Sequence, residues 1–245
     1  EHDKRISNRD EWKSGLRVLP NAQRARNVIL GDDQVRALVA AAYARDHALG
    51  LLVDVLAVTG TRSSQAVRLR VEDLREGSPP NVEPRVMPKL MMPKSAKGGG
   101  PNRAEKKLQH YSVPITEALA KRLKAAALGR APDAPLLLRN DGQSWGDDPS
   151  QNYRDDIRKI VASIGLDADE VTVYSLRHSS IVRGILRNLP IRLIAVLHDT
   201  SAAMVERNYS KHIGEFADSH ARAALLDSGP APSDGDNVVP IRRPS

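Results

Sequence analysis

The chain contains no cysteine. That absence excludes disulfides, thiolate metal sites and cysteine nucleophiles, and it fits a reducing, cytoplasmic compartment. Aromatic residues make up only 3%. A core must therefore come from Leu, Val, Ile and Ala, and a single-strand binder that stacks bases on exposed rings is disfavoured. No apolar run approaches the ~20 residues a membrane helix needs, and the first residues carry no signal-peptide pattern. Also missing are a Walker-type phosphate loop, a His-Glu-x-x-His motif and an acidic metal cluster. The first residue is Glu1 rather than Met, which raises the expectation of a fragment with something upstream.

The 245 residues, 40% of them hydrophobic, suffice for one sizeable domain. The net charge is +7 and the pI about 9.8. A balance of this size favours a polyanionic partner, and with so few rings it suits duplex phosphates. The charge is also local. Residues 85–110 hold seven Lys or Arg against the single acid Glu105. A charge run is usually a solvated face, but this one surrounds Lys94-Ser95-Ala96-Lys97-Gly98-Gly99-Gly100, a flexible basic loop.

Residues 1–30 read as a linker or arm, 31–227 as the main domain, and 228–245 as a disordered Pro-, Ser-, Gly- and Asp-rich tail. An Asp cap at Asp32-Asp33 should open a helix bearing Val35, Leu38, Val39 and Ala42. A second helix over about 48–58 is apolar nearly all round and should be central. Thr59-Gly60-Thr61-Arg62 forms a turn before a third helix with Gln65, Ala66 and Leu69. Short strands are expected at 71–74, 85–87 and 111–114. Helices follow at 116–128 and 148–164, with Leu136, Leu137 and Leu138 buried between them. The expected class is mainly α with a small antiparallel β-sheet.

The most informative stretch is 174–209. It opens with Tyr174-Ser175-Leu176-Arg177-His178 and closes with Glu206-Arg207-Asn208-Tyr209. Apolar residues over 181–189 and 191–197 recur at helical spacing, and Pro190 separates them. On residue pattern alone this is either a helical core with charged outer faces or a frame mounting an arginine, histidines and a tyrosine.

In order along the chain stand Arg62 after Thr-Gly, lysines in a Gly-rich hairpin, Leu176-Arg177-His178, and Tyr209 shortly after a small polar turn. With these residues the sequence resembles the tyrosine recombinases, the phage-integrase family, over roughly 28–226, the family's C-terminal catalytic domain. The resemblance implies site-specific strand cleavage and rejoining of double-stranded DNA through a 3′-phosphotyrosine, without metal, ATP or cofactor. It implies Arg62, Lys97, Tyr174, Arg177, His198 and Tyr209 as catalytic residues. Lys94 is the alternative to Lys97. Lys94, Lys97, Arg103, Lys106, Lys107 and His178 are the candidate DNA contacts. Gln65 stands where the family has Glu, and Tyr174 where it usually has His. The family's His or Trp nine residues before the tyrosine falls on Thr200, so His198, Asp199 and Thr200 compete for that role. The resemblance further implies a mobile-element integrase in a bacterial cell, at the nucleoid. It also implies tetrameric synapsis through a helix over 213–226 bearing Ile213, Phe216, Ala217 and Ala224. A binding module of the same fold without turnover and a type I topoisomerase are the alternatives.

The chemistry accounts for these residue types. Attack on a phosphodiester builds negative charge on its non-bridging oxygens, and two guanidiniums hold those oxygens bidentately while staying charged. A free tyrosine, with a pKa near ~10, is ionised to about one part in a thousand at neutral pH, so Tyr209 needs positive neighbours or a base. A mobile lysine would protonate the departing 5′ oxygen.

Overall fold

The computed structural model describes residues 28–79, 81–95, 109–214, 221–222, 224–226 and 229. Residues 1–27 of the expected arm and, but for Gly229, the expected tail lie outside the described residues. So do Lys97, Arg103, Lys106, Lys107, Phe216 and Ala217. Residues 28–30 are described, and Leu30 is buried in the domain with its N–H donating to Ser179 Oγ at 2.7 Å.

Helix α1 spans Asp32–Arg45. Its cap is Gly31, whose N–H donates to Gln34 Oε1 at 2.9 Å. Asp32 and Asp33 therefore sit in the first turn rather than at the cap, where they still complement the helix dipole. Asp46 ends α1 and starts α2, His47–Thr59, by accepting from the Leu49 N–H at 2.7 Å. As its all-round apolar sequence requires, α2 is central, with Leu52, Val53, Val55 and Leu56 at most 1% exposed. It packs against α1 and, further on, against α6 (Val173–Leu186).

The third helix is a single turn, α3, Ser63–Ala66. The sheet departs from expectation in two places. Residues 71–73 form a 3₁₀ turn rather than a strand, because the Arg70 N–H is taken by Asp73 Oδ2 at 2.8 Å. Only Leu74–Arg75, β1, is extended in the ladder. Residues 85–87 form no strand either. The Val86 backbone closes a loop on Ser78 through both its N–H and its carbonyl. The strand begins two residues later as β2, Lys89–Pro93, which buries Leu90 and Met92 at alternate positions. Strand β3, His110–Pro114, pairs antiparallel with β2, Met92 opposite Tyr111, and the sheet order is β1-β2-β3.

Helix α4, Glu117–Ala126, is capped by Thr116, which accepts from the Leu119 N–H at 3.2 Å. Helix α5, Ser150–Ser163, follows Pro149. Between them Leu136 and Leu137 are buried as expected and Leu138 is only half-buried. Helices α6, α7 (Ile191–Leu197, after Pro190) and α8 (Ala202–Gly214) follow.

Among the described residues two apolar clusters result. The larger draws on α1, α2, the sheet, α4 and α5. The smaller joins Ile181, Val182 and Ile185 of α6 to Ile194, Ala195, Val205 and Tyr209. Helix α6 contributes to both, so one rigid element carries Arg177 and His178 between the central helix and the helix bearing Tyr209.

Candidate active site

The site is built on two tight turns that meet. The first is 59–62, where Gly60 adopts φ +62°. A side chain there would be strained in the left-handed region, and a Cβ would meet His198 Nε2 and the Ser180 side chain at 2.6 Å. The second is 198–201, where Asp199 is left-handed at φ +46°. Asp tolerates that conformation better than most residues.

Arg177 ties the two turns together. It is 3% exposed. One guanidinium nitrogen donates to the Gly60 carbonyl at 3.0 Å and the other to the His198 carbonyl at 2.5 Å. Burial and the neighbouring positive charge of Arg62 both lower its pKa. Arg62 caps α3 and reaches the same turn. Its terminal nitrogen donates to the Asp199 carbonyl at 3.2 Å and to Gln65 Oε1 at 3.3 Å. Its Nε–H is buried with no acceptor among the described residues. Two guanidiniums thus converge on adjacent carbonyls, repel each other, and keep a donor unspent. An anion would relieve both conditions.

Tyr209, 4% exposed, packs its ring into the smaller cluster. Its hydroxyl lies 2.5 Å from His178 Nδ1, one residue beyond Arg177 on α6. Burial, then the Tyr174 side chain, push the phenol up to about 12, while Arg177 pulls it down. His178 is pushed down to about 4 by burial and by the charge of Arg177. Tyr174 is 45% exposed and stands edge-on to His178, ring centroids 4.9 Å apart, at the outer side of the pair.

The His198 ring faces inward. Nδ1 lies 2.8 Å from the Ile194 carbonyl, which can only accept, so Nδ1 carries the proton. Nε2 then accepts from Ser180 Oγ at 2.9 Å. Both ring nitrogens are engaged, and burial holds the ring down to about 4. His198 meets Arg177 through its backbone carbonyl.

Lys94 is half-buried at the end of β2, with Nζ 3.2 Å from Gln109 Oε1. Its carbonyl accepts from Arg68 at 2.6 Å. Arg68 is half-buried, and so is Arg183, which pairs with Asp32 at 2.6 Å. Sequence reasoning left Arg68 out of the site because a contact to a distant carbonyl has no local signature. Asp199 was a candidate by position, but its side chain gathers donors from two remote segments, which residue order does not show.

Burial of two neutral histidines sets a pH dependence. Both are held near 4, whereas unfolded histidine titrates near ~6.5. Between those values the unfolded chain binds more protons, so stability present above pH ~6.5 is lost as pH falls toward 4. Urea unfolding at pH 4.5 and 7.5 should differ by on the order of 2 kcal/mol for each histidine.

Solved structures share this arrangement of elements. XerA recombinase matches with a TM-score of 0.56 at 21% identity, over 79% of this chain and 65% of that one. The Tn1549 transposon integrase, in complex with circular intermediate DNA, gives 0.57 at 13% identity over 81% and 67%. The catalytic domain of bacteriophage HP1 integrase gives 0.51 at 18% identity, over 84% of this chain and 99% of that domain. The fold is that of the tyrosine recombinase catalytic domain. The chain spans slightly under two thirds of XerA. No family model matches the sequence, and no curated protein matches it. Among the described residues of this recombinase fold, no helix is long and apolar enough to cross a membrane.

Proposed function

We propose that the chain breaks and rejoins duplex DNA through Tyr209, as the catalytic domain of an integrase-type site-specific recombinase. The observation that carries this reading is the convergence of Arg62 and Arg177 on the His198–Asp199 turn, with the Tyr209 hydroxyl on the residue next to Arg177. The solved neighbours include an integrase in complex with DNA.

The scissile phosphate sits against the two guanidiniums, where the unspent Arg62 Nε–H and the mutual repulsion of the cations favour it. The Tyr209 oxygen attacks phosphorus and gives up its proton toward His178 Nδ1. The bond from phosphorus to the 5′ oxygen breaks, and that oxygen takes a proton from Lys97, or from Lys94 in its place. The 3′-phosphotyrosine keeps the bond energy, so attack by a 5′ hydroxyl on the phosphorus reverses each step and rejoins a strand. Tyr174 donates a hydrogen bond to a phosphate oxygen at the outer side. Lys94, Arg103, Lys106 and Lys107 grip flanking phosphates, which position the duplex without specifying its sequence. Tetrameric assembly on DNA through the 213–226 segment, in a bacterial nucleoid, belongs to the same reading.

The test uses a pool of duplexes nicked one to three bases from a randomised cut site, so that the short 5′ fragment diffuses away. Denaturing capture of the protein should recover covalent DNA, with phosphate mapped to Tyr209 by mass spectrometry. No adduct across the pool, or one on another residue, would overturn the reading. A second reading rests on the 198–201 turn, where both ring nitrogens of His198 are engaged by Ile194 and Ser180. It is a DNA-binding module of this fold without turnover, for which duplex binding without adduct is the expected result. Relaxation of supercoils without a preferred site would indicate a type I topoisomerase instead.

Arg62→Lys keeps the charge and loses the fork. The cleavage rate is expected to fall about 100-fold, with duplex affinity nearly intact and unfolding free energy within about 1 kcal/mol of the parent. Single-turnover trapping, gel shift and urea titration measure the three. Loss of folding would make Arg62 a structural residue.

A further inference from the structure

We infer that the Asp199 carboxylate is a positioning residue that aims Arg62 and registers the start of the basic loop with the turn leading into α8. Its catalytic consequence rests on the function proposed above. Asp199 Oδ2 accepts from the Ser95 N–H at 2.7 Å and from Gln65 Nε2 at 3.0 Å, and it lies 3.6 Å from the terminal nitrogen of Arg62. Three segments remote in sequence thus meet on one oxygen. They are the end of β2 and the residues after it, the single turn α3, and the 198–201 turn.

The Gln65 amide passes the constraint on. Its Nε2 also donates to the Pro93 carbonyl at 2.8 Å, so that edge of the amide faces two acceptors. The opposite edge, Oε1, must then accept, and it receives the Arg62 terminal nitrogen at 3.3 Å and the Thr61 hydroxyl at 3.4 Å. Gln65 is completely buried, so the amide has no solvent in which to turn over. The carboxylate fixes the amide, and the amide and the Asp199 carbonyl together hold the guanidinium so that Nε–H keeps its free direction. The backbone at Asp199, at φ +46°, restricts the position further.

Two substitutions separate the carboxylate from the backbone. Asp199→Gly removes the side chain and accepts the left-handed conformation without strain. Asp199→Asn also tolerates that conformation and keeps one side-chain oxygen for Ser95 and Gln65. The rate of adduct formation on the trapped duplex should fall about 30-fold in Asp199→Gly and less than about 5-fold in Asp199→Asn, with duplex affinity within about 3-fold for both. In an Arg62→Lys background, Asp199→Gly should cost less than about 3-fold more, because groups acting through one another are not additive. Effects that multiply in the double variant, or a parent rate in Asp199→Gly, would overturn the inference.

A second measurement needs no cleavage. The Arg62 Nε–H resonance, assigned by its disappearance in Arg62→Lys, should exchange with water about 10-fold faster in Asp199→Gly and near the parent rate in Asp199→Asn. Unchanged exchange in Asp199→Gly would overturn the positioning role. Altered exchange in a protein that forms no adduct would leave the positioning role standing and sink the proposed activity alone.

Discussion

Tyr209→Phe is expected to abolish the covalent DNA adduct while leaving the fold and duplex affinity in place. The ring is the part of Tyr209 that packs. It is 4% exposed, in a cluster with Ile181, Ile194 and Val205. Phenylalanine keeps that burial. What is lost is the hydroxyl and its 2.5 Å contact with His178 Nδ1. A single hydrogen bond of this kind contributes about 0.5–1.5 kcal/mol net, so urea unfolding should shift by no more than that. The adduct should vanish because no other group in the variant supplies the attacking oxygen. Denaturing gels of parent and variant on the same nicked duplex read the first effect, and gel shifts the second. An adduct in Tyr209→Phe would move the nucleophile elsewhere, with Tyr174 on the neighbouring turn of α6 the first to examine.

Arg177→Ala is expected to cost both folding and chemistry. The guanidinium is 3% exposed and joins the Gly60 and His198 carbonyls. Its removal leaves two buried acceptors without a donor, at about 1–3 kcal/mol each. Relief of a buried charge beside Arg62 offsets part of that cost. A net loss of about 2–4 kcal/mol in urea unfolding is the expected outcome. Under the proposed function cleavage should fall at least about 1000-fold, since the charge building on the non-bridging oxygens would lose one of its two clamps and the 198–201 turn its anchor. Arg62→Lys supplies the contrast, a catalytic loss in a folded protein. If Arg177→Ala cleaved DNA near the parent rate, the convergence of the two arginines would have no catalytic meaning.

Much of the fold can be read from residue order because the relevant forces are local. The all-round apolar run of α2 announces a central helix, Pro190 separates α6 from α7, and Thr116 caps α4 where expected. The strands were harder. Residues 71–73 compete for their own backbone through Asp73, and Val86 closes a loop on Ser78. A pattern of alternating β-formers does not reveal either event. At the site, Arg62, Arg177 and Tyr209 stand out by their spacing and by their resemblance to a known motif. The direction in which His198 points does not, because it depends on Ile194 and Ser180 lying on either side of the ring.

The sequence by itself determined the mainly helical class and the concentration of positive charge over 85–110, which follow from periodicity and composition. The short set of arginines and tyrosines came from residue order together with the resemblance to the tyrosine recombinases. Only the tertiary structure decided that Arg177 is a buried tie between two turns, that His178 is the partner of Tyr209, and that Asp199 joins the end of β2 to Arg62. These contacts span between 21 and 137 residues of chain, and some of them join backbone carbonyls in left-handed turns. Burial then set the acid–base character of the pair, since both groups lose the solvent that would stabilise their charged forms.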